Sequence, residues 1–218
     1  MRKIVLMPLI AAALWAGTWI LPAQAAMVPP DGELDFIVLR DGSQVGTHRI
    51  DFHRNGDALE VDIRTRIAVQ MLFVTVFRFE HDGHEVWRDN RLVEMETKTN
   101  DDGTDHTLVA TSDGGDELKI VGDGNARVAR AGVIPASLWN HTFLDSKDLL
   151  NSLDGSDLAI DVAFKGDEPV TVHGKSVPSK HYSMTGDFER ELWYDQDWVL
   201  VKIAFKGKDG SDIQYLRR

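Results

Sequence analysis

Apolar and polar positions alternate along much of this chain with a period of two. Leu59, Val61, Ile63, Thr65, Ile67 and Val69 share one parity, while Glu60, Asp62, Arg64 and Arg66 hold the other. Leu158, Ile160, Val162 and Phe164 repeat the pattern, as do Val199, Val201, Ile203 and Phe205. Successive side chains of a strand point to opposite faces, so this parity marks strands with one wet and one dry face. Between the runs, Asp-Gly occurs at Asp31, Asp41, Asp82, Asp102, Asp113, Asp123, Asp154 and Asp209, and Asn55-Gly56 adds one more such pair. These dipeptides tolerate the positive φ angles of tight hairpins. The pattern predicts an all-β chain with a small helical segment: an antiparallel meander curled into a half-open barrel, plugged or covered by one or two short helices.

Two stretches depart from the alternation. Met71-Leu72-Phe73-Val74-Thr75-Val76-Phe77-Arg78-Phe79 is apolar at both parities. The plain reading is a central strand buried on both faces. The other is a set of aromatic groups lining the concave side of the sheet. The second departure runs from Pro135 to Leu153. Pro135 suits a first helical position, and Trp139 with Phe143 has the i,i+4 spacing of a helix face. Leu149, Leu150 and Leu153 add a second apolar stripe. The segment is expected to lie across an open end or face of the sheet, as a core plug or as a lid.

The N-terminus changes how the composition reads. Arg2 and Lys3 precede an apolar run from Ile4 to Leu21, and Ala23-Gln24-Ala25 places small residues where a signal peptidase reads. Residues 1–25 are therefore expected to be a cleaved secretory signal, and residues 26–218 a single domain. An uncleaved anchor is the alternative, because about 18 apolar residues just span a bilayer. Removing Arg2 and Lys3 takes the formal charge from −11 to −13. The expected location is periplasmic or secreted, with no stable membrane span after cleavage. The acidic balance excludes nonspecific nucleic-acid binding, which needs clustered Lys and Arg. The absence of cysteine excludes a disulfide scaffold and thiolate metal sites.

Catalytic signatures are missing. No nucleophile elbow, zinc-protease helix, phosphate-binding glycine loop or EF-hand spacing occurs. His81-Asp82-Gly83-His84 reads as a solvated tight turn in preference to the start of a metal site. His48 and His53 read as part of an ordinary polar strand face. Asp101, Asp102 and Asp105 lack calcium-loop spacing. No catalytic residue, metal or cofactor is assigned, and an enzyme is the less favoured reading.

The informative set is aromatic and apolar. Met71, Phe73, Phe77, Phe79, Trp87, Leu138, Trp139 and Trp193 are the candidate ligand-binding residues, set to fill or line a curved sheet. Trp193 shares its parity with Glu189, Glu191 and Asp195, so it stands apart from a simple buried stripe.

The stretch Leu34-Asp35-Phe36-Ile37-Val38-Leu39-Arg40-Asp41-Gly42-Ser43-Gln44-Val45-Gly46-Thr47-His48 resembles the start of an uncharacterised family of exported bacterial proteins. In that family an extended strand meets a Gly-x-x-Ile/Val-Gly-x-His hairpin. Glu85-Val86-Trp87, Thr97-x-Thr99-Asn100, Pro135-x-Ser137-x-Trp139 and Trp193-Tyr194-Asp195 followed by Val199-Leu200-Val201-Lys202 are similar too. More distantly, the layout resembles the periplasmic lipoprotein-carrier proteins, half-open barrels whose helices plug an apolar concave face that holds acyl chains. By analogy, this implies a non-enzymatic carrier of a lipid or other apolar small molecule. The alternative is a cell-envelope assembly module with a filled core and another envelope protein as partner. A secreted hydrolase comes third.

Overall fold

The computed structural model describes residues 28–218. The expected signal over residues 1–25 lies outside the described residues. The first eight strands are β1 (Glu33–Arg40), β2 (Ser43–Asn55), β3 (Ala58–Met71), β4 (Val74–Arg88), β5 (Arg91–Asp101), β6 (Thr104–Thr111), β7 (Glu117–Gly122) and β8 (Asn125–Arg130). After a crossing segment come β9 (Asp148–Leu150), β10 (Asp157–Asp167), a small hairpin of β11 (Val170–Val172) and β12 (Lys175–Val177), and β13 (Ser179–Gly186). The chain finishes with β14 (Arg190–Asp195), β15 (Leu200–Lys206) and β16 (Asp212–Arg217).

Fourteen strands form one antiparallel sheet in the order β8-β7-β6-β5-β4-β3-β2-β1-β16-β15-β14-β13-β10-β9. The sheet curls into a half-open barrel. Its first and last strands pair in the middle, and β8 and β9 are its two edges. The chain leaves one edge at β8 and re-enters at the other, and residues 131–147 between them pack over the concave face. The burial of Leu138, Trp139 and Phe143 in the core makes this segment the plug. The two edges also approach each other without a strand ladder between them. Arg127 Nη2 donates to Asp157 Oδ1 at 2.7 Å and its Nε to the Gly155 carbonyl at 2.7 Å. A Cβ on Gly122 would sit 1.6 Å from the Asp154 carbonyl oxygen, so that close approach requires glycine.

The turn chemistry holds at Asp41-Gly42, Asp102-Gly103 and Asp123-Gly124, where both residues take positive φ. Asp82-Gly83 departs from it. The pair lies in the middle of β4, so His81 and His84 belong to a strand and not to a turn.

The crossing segment is less helical than its spacing predicts. Pro135 makes a parallel bridge with Leu150, and Leu138 has φ 63. A left-handed residue cannot continue a right-handed helix. Helix is confined to a five-residue 3-10 turn, His141–Asp145, where Asn140 Oδ1 accepts from the Thr142 N–H. Leu138, Trp139, Phe143, Leu149 and Leu150 nevertheless reach the core, packed against Phe36, Ile50, Phe52, Val61, Met95 and Leu108 from the sheet.

The apolar run at 71–79, expected as a buried strand, is a protruding ribbon. β2 stops pairing with β3 at Ile67, and β5 stops pairing with β4 at Phe79. β3 and β4 continue together to Met71 opposite Val74. No neighbouring strand covers either side there. Leu72 and Phe73 form the turn with φ 49 and 69, and they are 92% and 100% exposed.

Candidate functional site

The structure divides the eight sequence candidates among four places. Phe79 and Leu138 line a cavity of about 380 Å³ between the crossing segment and the sheet. Trp87 and Trp139 are buried beside it in the core. Trp193 lies on the outer face, in a separate cluster with Val170 and Val201 near the β11–β12 hairpin. There it stacks on His181 with ring centres 4.2 Å apart. Phe73 and Phe77 are on the ribbon, Phe73 fully exposed and Phe77 partly so. The Met71 backbone belongs to the ribbon, and its side chain lies outside the described residues.

The plug is fixed by three buried polar ties. Trp87 Nε1 and Trp139 Nε1 both donate to Glu85 Oε2, at 2.8 and 3.0 Å. Burial pushes the Glu85 carboxyl up, and the donors from Trp139, Trp87 and Ser137 pull it part of the way back. Tyr194 Oη donates to the Leu138 carbonyl at 2.7 Å, and Thr97 Oγ1 to the Ser152 carbonyl at 2.8 Å. Four of the fragments that carry the family resemblance thus converge on one task. Glu85-Val86-Trp87 meets Pro135-x-Ser137-x-Trp139, while Thr97 and Tyr194 hold the two ends of the same segment.

Below the plug, the inner face turns polar. His48, Thr65, His81 and Thr99 are cross-strand partners on β2, β3, β4 and β5. His48 Nδ1 bonds Thr65 Oγ1 at 2.8 Å, and His81 Nδ1 bonds Thr99 Oγ1 at 2.7 Å. Burial, and secondly the proximity of His81, pulls the His48 imidazole down to about 3. Burial pulls His81 down to about 4; Asp82 opposes the shift and Arg66 reinforces it. Both rings are therefore neutral at neutral pH. Gly83 makes room for one of them, since a Cβ there would lie 3.1 Å from His81 Nε2. His84 points to the other face and bonds Asp62 Oδ1 at 2.8 Å, so the two histidines of the expected turn cannot share a ligand.

The same cavity is walled by Ile63, Ile203, Phe205, Tyr215 and Arg190. The Arg190 guanidinium carbon sits 3.9 Å from the centre of the Phe188 ring and 3.8 Å from that of Phe205. A smaller hollow of about 220 Å³ on the outer face is lined by Asp51, Asp62, Arg64 and Asp82. Its charges pair locally, Arg64 with Asp82 and His84 with Asp62. The inner cavity differs in leaving groups unmet: His48 Nε2 and Ser152 Oγ are buried with no hydrogen-bond partner among the described residues.

His48, His81 and Arg190 were not singled out by sequence reasoning as cavity residues. Strand parity carries the signal for each. His81 shares parity with Glu85 and Trp87, and Arg190 with Leu192 and Tyr194. The turn-like Asp82-Gly83 pair hid the first, and an isolated arginine in a charged stretch hid the second.

A family described as a domain of unknown function (DUF6134) matches residues 36–218. Among curated proteins no relative matches. A solved structure titled a β-barrel-like protein of domain of unknown function DUF1849, from Brucella abortus, superposes with a TM-score of 0.60 at 8% identity. The match covers 85% of this chain and 94% of that one, and at this identity it speaks for the fold alone.

Proposed function

The chain belongs to the DUF6134 family, and from the geometry of its cavity we propose that it is a non-enzymatic binding or carrier protein for a lipid or other apolar small molecule. The observation that carries this reading is the 380 Å³ space left between plug and sheet. That volume lies in the roughly 300–1,000 Å³ range of small-molecule sites. Ile63, Phe79, Leu138, Ile203 and Phe205 offer the apolar contact. The basic, apolar and Ala-x-Ala N-terminus supports an exported, periplasmic setting. Each methylene moved out of water would contribute about 0.8 kcal/mol before ordering costs.

Native mass spectrometry of protein gently extracted from its source tests this reading. A small apolar or amphiphilic adduct is expected. A bare protein that also ignores added acyl probes would overturn the proposal.

A second reading, an envelope interaction module, is favoured by a different feature. Leu72, Phe73 and Val74 form an exposed apolar tip at the end of the β3–β4 ribbon. Clustered exposed apolar groups of this kind mark contact sites.

A further inference from the structure

We infer that the cavity reads the charge of its ligand: it takes a small amphiphile with a carboxylate head, held by Arg190, and an apolar tail lying along Phe205, Ile203 and Leu138. This rests on the binding reading above and sharpens it from an apolar to an anionic ligand.

The inference starts from the ion pairing of arginines. Arg40, Arg49, Arg66 and Arg127 each sit against a carboxylate. Arg54, Arg91 and Arg130 are exposed to water. Among the described arginines, Arg190 alone is half-buried with no acidic partner within ion-pair distance. Its Nη1 donates to the Glu189 carbonyl at 2.6 Å. The two flanking rings cover the faces of the guanidinium and leave its edge, where the N–H groups are, as the route to a partner. Burial lowers its pKa only to about 10, so it keeps its charge at neutral pH. Its one electrostatic neighbour is Tyr215, a phenol that burial holds at about 12 and so keeps neutral. The one carboxylate in the lining, Asp187, is exposed and accepts from the Ala159 N–H at 3.0 Å.

A buried cation without a counter-charge is costly unless something else meets it. The planar guanidinium fork matches a carboxylate with two parallel hydrogen bonds. His48 and Ser152 belong to the lining of the same space, and their Nε2 and Oγ are buried just behind it with no hydrogen-bond partner among the described residues. The wall also carries Thr65, His81, Ser137 and Asn151, and its apolar part is made by Ile63, Phe79, Leu138, Ile203 and Phe205. At about 30 Å³ per water-sized atom the cavity accommodates about a dozen heavy atoms. Decanoate has that size, with one anionic end.

Isothermal titration at pH 7.5 with decanoate, decanol and decylamine separates the possibilities. The intact protein is expected to bind decanoate at least about tenfold more tightly than decanol, and decylamine least. In Arg190→Met the preference for acid over alcohol should vanish, and Arg190→Lys should keep part of it. Thermal melts of both variants check that they fold. Equal affinity for decanoate and decanol in the intact protein, or a preference that survives Arg190→Met, overturns the inference while the carrier reading stands. Failure of all three probes to bind overturns both.

Discussion

On the plug side of the concave face, Trp87 and Trp139 meet edge to face with centres 5.4 Å apart, and both indole N–H groups end on Glu85. On the cavity side, a few strand positions away, Arg190 has charge and no carboxylate, and His48 and Ser152 keep unbonded polar atoms. Both regions are built from the same inward-facing parity of the same sheet. The first packs ring against ring and gathers both indole N–H groups on one carboxylate oxygen, although Glu85 Oε1, Ser137 Oγ and Asn140 Nδ2 there have no partner among the described residues. The second leaves both space and bonding capacity, at a cost in stability that only a ligand would offset. Unmet polar atoms occur on both sides, so the difference lies in the open space and in the guanidinium without a carboxylate.

Trp139→Ala should break the filled side most severely. It opens a cavity against Phe52 and Trp87 and strips a donor from a buried carboxylate. A loss of about 3–5 kcal/mol is expected, which for a domain of this size lowers the melting temperature by roughly 6–20 °C. Calorimetry or denaturant titration reads it directly.

Acid should act next, through the cavity side. His48 and His81 have folded pKa values of about 3 and 4 against an ordinary 6.5. Above pH 6.5 neither state binds the proton and the pair contributes nothing. Below 6.5 the unfolded chain takes up protons that the folded one refuses, so stability falls with pH down to about 4 for His81 and about 3 for His48. Each ring contributes a slope of up to about 1.4 kcal/mol per pH unit. His141 is lowered too and adds in the same sense, while Glu85, raised by burial, works in the opposite one. The slope between pH 6.5 and 4.5 should therefore be compared in the intact protein and in His48→Gln/His81→Gln. The double variant is expected to be flatter; an unchanged slope would mean that these rings are not buried neutral.

Arg190→Met should have the smallest effect on stability. It loses two cation–π contacts but also removes an uncompensated, partly buried charge, so a change within about 0.5 kcal/mol is expected in thermal melts. A loss comparable to that of Trp139→Ala would erase the distinction between the two sides.

Strand parity made the inner face legible from sequence: Leu59, Val61, Ile63 and Thr65 all point inward as the alternation requires. Topology was harder. Sequence shows that residues 135–153 break the alternation, yet only the structure shows that they link the two sheet edges, β8 and β9, and bury Leu138, Trp139 and Phe143 against the concave face. Two local signals misled. Asp82-Gly83 has turn chemistry, but its glycine serves a close approach to His81 inside a long strand. Leu72-Phe73 has no turn chemistry, yet it makes a tight turn with both residues at positive φ. An apolar run looks the same to a sequence reader whether its neighbours cover it or stop short of it. Arg190 was invisible for a related reason, because ion pairing is a property of three-dimensional neighbours.

The most direct test of a ligand site beneath the plug is a crystal structure of the protein grown with decanoate. The expected result is continuous density in the cavity, its carboxylate against the Arg190 guanidinium and its chain along Phe205 and Leu138. Density for the acid only at the Leu72-Phe73 tip or on the outer face, with the cavity closed over by its own side chains, would contradict it.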